Sequence, residues 1–212
     1  MKHAGTQALY SYWDSLRGDR AAPERADIDP AAIRAILADT LLIEVDQQSN
    51  ASHHDFAVRL GGTRVNALFG EDLNGRDFLS LWCAEDRESV SRLVTAVLDD
   101  ASPAVAGLLA APAGHQPLWL ELLLLPLRHH GKTHARLLGA LVPAEVPRWF
   151  GLMPTQPLRL TTQRMVSAKP APDQRFAQVH RLESERTAPR RRQHLFVHDG
   201  GRQDSPNTAS VA

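Results

Sequence analysis

Residues 118–127 read LWLELLLLPL, and this run constrains the fold more than any other part of the chain. In an extended strand successive side chains point to opposite faces, so Leu118, Leu120, Leu122 and Leu124 share one face and Trp119, Glu121, Leu123 and Leu125 the other. Both faces are therefore largely apolar, and a sheet built around this strand needs cover on both sides. The run is too short for a transmembrane helix, which takes about 20 apolar residues, and Glu121 interrupts it. Helices of the same domain can cover one face. The other is left for the N-terminal helices or for a second copy of the chain.

The neighbouring segments supply the rest of such a sheet. TLLIEVD and DFAVRL, separated by the polar turn QQSNASHH, read as two antiparallel strands, with Phe56, Val58 and Leu60 alternating along the second. AVAGLLAAP, PLWLELLLLPLRHH and THARLLGALVP are three more strands, joined by AGHQ and Gly131-Lys132. Between the two groups lies residues 55–82, which read as a strand, a Gly-Gly turn, a short helix, a second turn and another short helix. In the first of these helices Val65, Leu68 and Phe69 fall at helical spacing before Gly70. A longer helix follows Trp82, with Val90, Leu93, Val94, Val97 and Leu98 on one face and Glu85, Asp86 and Glu88 near its N-terminus. Ahead of the sheet, Leu9, Tyr12, Trp13 and Leu16 mark one helical face. Asp29-Pro30 supplies a cap and a first-turn proline for a second helix carrying Ile33, Ile36 and Leu37.

The chain has 212 residues, 43% hydrophobic and 23% charged, which suits one core of ordinary size with appendages. The expected divisions are an N-terminal helical extension at residues 1–38, a central α+β domain at 39–146 and a mostly flexible basic tail at 147–212, with LRLTT and HLFVHDGG as short strands in the tail. From Thr162 to Gln193 the larger apolar residues are only Met165, Val166, Phe176, Val179 and Leu182, too few to offset the entropy of ordering that stretch. The net charge of zero conceals a split: residues 151–212 hold 10 Lys or Arg against 5 Asp or Glu, and the first 150 residues hold 14 against 19. That distribution speaks against a broad basic face for nucleic acid. The basic run Arg190-Arg191-Arg192 neutralises few phosphates and reads as a solvated linker. A single cysteine, Cys83, cannot form an internal disulfide, and no apolar leader opens the chain. A cytoplasmic location is expected, with no membrane partner and no nucleic acid partner.

Strand, strand, short helices, long helix and three strands is the order of the PAS domain. The chain resembles a PAS-like family of alphaproteobacterial proteins. The matching residues include Leu16-Arg17-Gly18, Arg25-Ala26-Asp27-Ile28-Asp29-Pro30, Arg59-Leu60-Gly61-Gly62-Thr63-Arg64-Val65 and Leu68-Phe69-Gly70. They continue through Asp72-Leu73-Asn74-Gly75-Arg76, Phe78, Leu81-Trp82, the run Glu121 to Leu127 and Leu137-Leu138-Gly139. The resemblance implies an α+β fold: a five-stranded antiparallel sheet with short helices and one long helix on one face, and the N-terminal helices packed on the sheet. It implies a sensory or regulatory role and no established chemistry. In the PAS arrangement Thr63, Arg64, Asn66, Arg76 and Trp82 would lie near the cavity, where a guanidinium grips an anion and the indole forms a wall. The plainer alternative pairs Arg64 with Glu71 or Asp72 and leaves Trp82 as core.

Cofactor and catalytic motifs are not indicated. Light-sensing relatives carry a cysteine within an asparagine-cysteine-arginine-phenylalanine motif, which Cys83 lacks, and no histidine lies between Ala84 and Asp100 to ligate haem. His129 and His130 are neighbours on a strand and point apart, and His134 lies across the turn, so a metal site is not expected; His53 and His54 read as loop residues. Gly131-Lys132-Thr133 lacks the earlier glycine of a phosphate loop, since position 126 is Pro126. The cofactor is left unassigned, and an enzyme is not expected. The reading is a sensory or regulatory protein acting through protein contacts. Its expected partners are a second copy, met through Tyr12, Trp13, Leu123 and Leu125, an unidentified signalling protein and a possible small ligand. The alternative is a dedicated binding module for an anionic metabolite or nucleotide second messenger.

Overall fold

Sheet order follows directly from where each strand finds a partner. The computed structural model describes residues 1–46 and 55–166; the turn QQSNASHH with His53 and His54, the run Arg190-Arg191-Arg192 and the segment HLFVHDGG lie outside the described residues. Strands β1 (Thr40–Asp46), β2 (Asp55–Gly61), β3 (Ala104–Ala110), β4 (Leu118–His129), β5 (Lys132–Pro143) and β6 (Arg159–Met165) form one sheet in the order β2-β1-β5-β4-β3-β6. All neighbouring pairs are antiparallel. The five strands expected from the sequence are present, and LRLTT contributes a sixth, β6, alongside β3.

Helices α2 (Thr63–Phe69) and α3 (Arg87–Asp99), with a short 3-10 turn at Phe78–Leu81, cover the inner face. Gly70 ends α2 in the left-handed conformation at φ 70°, which a β-carbon would disfavour. Leu122 and Leu124 of β4, Phe56 and Val58 of β2, and Val90, Val94 and Val97 of α3 are all buried in this inner core. Trp149 and Leu158 join them, so the expected boundary at residue 146 falls inside a packed unit rather than at the start of a tail. The physical reason is that these two side chains and the β6 ladder hold residues 147–166 to the domain.

The outer face is covered over much of its length by the chain itself. Helix α1 (Ala4–Arg17) buries Thr6, Leu9, Trp13 and Arg17 against Leu123, Leu125, Leu127, Leu138 and Ala140. Arg17 takes the place expected for Leu16, its guanidinium lying 5.5 Å from the Trp13 ring. Pro126 sits inside β4 at a point where β3 has already ended, because Ala104 pairs with Leu124. A proline without an N–H is tolerated there. Its carbonyl accepts from Trp13 Nε1 at 2.8 Å, and two residues on, Arg128 N donates to Pro23 O at 2.8 Å.

The second N-terminal helix is not formed as expected. Asp29 Oδ1 does accept from Ala31 N at 2.8 Å, as a cap should, but the chain continues as turns to a 3-10 element at Leu37–Asp39. Its hydrogen bonds run three residues back, as from Ile36 N to Ile33 O at 2.9 Å. Burial of Ile33 and Ile36 on the sheet, rather than helical continuity, holds the segment.

Candidate functional site

The five residues expected to line an inner cavity do not converge. Thr63, Arg64 and Arg76 are exposed, Asn66 is half-buried and Trp82 is fully buried. Arg64, in the first turn of α2, donates through Nε to Asp39 Oδ1 at 2.7 Å and through Nη2 to Asp39 Oδ2 at 2.6 Å. Its partner is therefore Asp39 and neither Glu71 nor Asp72. Arg76 pairs instead with Glu71 at 3.0 Å. Asn66 bridges the turn that follows α2, donating to Asp72 Oδ1 at 3.3 Å while its own Oδ1 accepts from Leu73 N at 3.4 Å.

A close approach of backbone explains how Arg64 and Asp39 meet. Gly62 N donates to Thr40 O at 2.8 Å, and a β-carbon on Gly62 would lie 2.4 Å from Ala38 O. Only glycine lets the chain before α2 press against the end of the Leu37–Asp39 turn, which sets the two charged side chains face to face.

Trp82 stands between the inner helices and the sheet. Its ring meets Phe78 edge to face at 5.8 Å, with Phe56, Leu68 and Leu73 also fully buried in the same core. Its indole Nε1 is buried and has no hydrogen-bond partner among the described residues. Cys83, the next residue, is held by Asp86: Sγ lies 3.0 Å from Asp86 Oδ2. Burial first, then the hydrogen bonds to Asp86 and Glu85, push the Cys83 thiol up to about 11. Asp86 Oδ2 also accepts from Leu160 N at 2.7 Å, which ties the start of β6 to the foot of α3. Among the described residues no group of three or more His, Cys, Asp or Glu side chains is placed to hold a metal. His129 and His130, expected to point apart, instead bring their rings to 4.1 Å at a tilt of 51°, because β4 ends at His129 and His130 turns at φ 51°.

Three of the four residues expected at a dimer interface are interior to this chain. Trp13, Leu123 and Leu125 are fully buried between α1 and the sheet. Tyr12 is half-buried, its hydroxyl accepting from Asp29 N at 2.9 Å. The surface these three side chains would offer a second copy is already occupied by α1.

The opening that does exist had little advance signal in the sequence. A rise of about 1.5 Å per residue makes α1 about 21 Å long, whereas β4 at about 3.3 Å per residue runs about 40 Å. Alignment starts where Glu121 accepts from Lys2 N at 2.6 Å, from His3 N at 3.2 Å and from Thr6 Oγ1. It ends near Pro126 and Arg128, so no described residue covers the Leu118 end of the outer face. A groove of 760 Å³ lies there, over the cross-strand row Thr162, Gly107, Glu121 and Val142. Trp119 stands in it, 58% exposed. Its only advance signal was Glu121, the single charge in the leucine run. Burial alone would raise the Glu121 carboxyl, but the Thr6 hydroxyl and the Lys2 and His3 amides outweigh it and hold the group below its ordinary value of 4.5.

No helix among the described residues is long and apolar enough to cross a membrane. No curated protein matches this sequence. Among solved structures the fold is similar to an RNA-binding light-oxygen-voltage receptor, at 12% identity and a TM-score of 0.34, covering 70% of this chain and 36% of that one. The chain thus spans about a third of that receptor's length, and so distant a likeness bears on neither ligand nor partner. The sequence model of the PAS domain family matches residues 1–142, which takes in α1, the inner helices and the strands β1 to β5 nearly to their end. With the antiparallel sheet and its helical inner layer already established, the chain belongs to the PAS domain family.

Proposed function

We propose that this protein is a PAS-type regulatory module that acts through contacts with another protein, and that its interior serves as a rigid scaffold. The observation that carries this reading is the filled interior: Trp82, Phe56, Phe78, Leu68 and Leu73 occupy the space between the inner helices and the sheet. Arg64, the cation a ligand would need, is engaged by Asp39. An anionic metabolite bound through Arg64 would leave a buried carboxylate unpaired, so the alternative of an anion-binding module is the weaker one. Apolar side chains offered to a partner include Leu152, 81% exposed, and Val146, 64% exposed. The expected test is a photo-crosslinking residue placed at Leu152 or at Val146, with the exposed Glu88 as control, in cells of the source organism. A discrete protein adduct at the apolar positions and none at Glu88 agrees with the proposal; no adduct at either apolar position overturns it.

A second reading, a small interior ligand, is favoured by one observation. The unpartnered Trp82 Nε1 is a buried donor of the kind that costs about 1 to 3 kcal/mol unless an acceptor meets it. Native mass spectrometry of freshly purified protein tests this: a stoichiometric adduct that is lost in Trp82→Phe supports the ligand, and a bare polypeptide in both removes it.

A further inference from the structure

The groove at the open end of the outer face has a chemistry of its own. Its floor is lowest at Gly107, which carries no side chain, and Val142 is buried on the far side of Glu121 in the same cross-strand row. A β-carbon at Gly107 would lie 2.7 Å from Thr162 Oγ1, so the floor cannot be filled there without moving β6. Trp119 provides a large apolar wall. The only acid on the floor, Glu121, already accepts three hydrogen bonds from the N-terminal segment. Two cations line the same groove, Lys2 and Arg164, and among the described residues neither has an ion-pair partner. Arg164 lies opposite Val105 across the β3–β6 ladder, and Lys2 comes from the segment pinned to Glu121. Residues Met1 to His3 therefore line the groove at its α1 end.

We propose that this groove binds a free single-chain anionic amphiphile: a linear apolar body against Trp119, Val105 and Val142, with a carboxylate or phosphate head between Lys2 and Arg164. The volume, 760 Å³, falls within the range of about 300 to 1,000 Å³ usual for small-ligand sites. Charge complementarity selects the head: among the side chains lining the groove, the cations Lys2 and Arg164 outnumber the one carboxylate, Glu121, and this surplus favours an anion over a neutral group of the same length. With α1 seated on the sheet beyond Met1 to His3, the groove favours a molecule that terminates there over a peptide that runs through it. The site is separate from Leu152 and from Trp82, so its failure leaves the protein-contact reading intact, and the reverse holds as well.

Trp119 gives a direct readout, since Trp13, Trp82 and Trp149 are buried. Titrating the full-length chain with dodecanoate and with dodecyl phosphate, each below its micelle concentration, should shift the emission to the blue and saturate. Dodecanol should bind at least tenfold more weakly. The exposed charge reversals Lys2→Glu and Arg164→Glu together should weaken both anions at least tenfold, and Ala144→Trp, an exposed position on the groove, should block them without lowering the melting temperature. Calorimetry with Trp119→Phe confirms binding when the optical signal is gone. No saturable binding, equal affinity for dodecanol, or unchanged affinity in Ala144→Trp overturns the proposal. So does flotation with phosphatidylglycerol vesicles in the absence of dodecanoate binding, which assigns the cations to a membrane surface. A wild-type dimer by light scattering that becomes a monomer in Ala144→Trp assigns the groove to a second copy and likewise overturns it.

Discussion

Arg64 and Asp39, 25 residues apart in sequence, form a two-pronged ion pair in which the acid is buried and the base is not: side-chain exposures are 5% for Asp39 and 45% for Arg64. The pair fastens α2 to the turn that leads into β1. Its two halves are not energetically equivalent, because the solvated guanidinium can survive the loss of its partner and the buried carboxylate cannot.

The asymmetry predicts the order of two substitutions. Arg64→Met keeps the aliphatic stem but strands the carboxylate, and should cost about 2 to 3 kcal/mol; Asp39→Asn leaves an arginine that water can serve, and should cost about 1 kcal/mol. Urea unfolding monitored by circular dichroism measures both. A larger loss in Asp39→Asn than in Arg64→Met is incompatible with this account.

Glu121 makes the attachment of α1 dependent on pH. Its folded pKa is depressed below 4.5, so the stabilisation is complete above that value and is lost as the pH falls through the lower, folded value. Amide hydrogen-exchange protection at residues 2–6, taken relative to the intrinsic rate at each pH, should fall in acid before that of the inner strands. Glu121→Gln should show reduced protection already at neutral pH and little further change on acidification; wild-type protection that stays flat to the point of global unfolding refutes the clamp.

Trp82 tests whether the interior is dry. With no acceptor for Nε1 among the described residues, replacing the indole by phenyl removes an unsatisfied donor and a modest volume, and Trp82→Phe should leave stability within about 1 kcal/mol of wild type. Thermal and urea melts decide the matter, and a loss well beyond 2 kcal/mol means that the N–H holds a partner in solution.

Cys83 should behave as an inert thiol at neutral pH. Burial and the neighbouring Asp86 and Glu85 raise it to about 11, so the thiolate fraction, and with it the alkylation rate by iodoacetamide, should keep climbing between pH 8 and about 10.5. Asp86→Asn should bring the midpoint down. A rate that levels off near pH 8.5 contradicts the burial argument.

Local physics made most of the architecture legible. Period-two alternation marked the strands, Val90, Leu93, Val94 and Val97 marked α3, and Gly70 marked the end of α2, because each signal depends only on neighbours within a few residues. The turns at residues 30–36 escaped the same logic: a good cap at Asp29 starts a turn, but burial on the sheet decides whether a helix follows. Arg64 escaped it too, since an acid 25 positions away is indistinguishable in sequence from the nearer Glu71 and Asp72.

The leucine run shows where the division lies. Alternation along LWLELLLLPL established, without any structure, that both faces of β4 require cover, because strand geometry fixes where each side chain points. What covers them is a property of the assembled chain. Trp13 reaches Pro126 across more than a hundred residues, and α1 is too short to match β4, which leaves Trp119 and the groove beside it open. Lengths and distant contacts of this kind exist only once the elements are packed together.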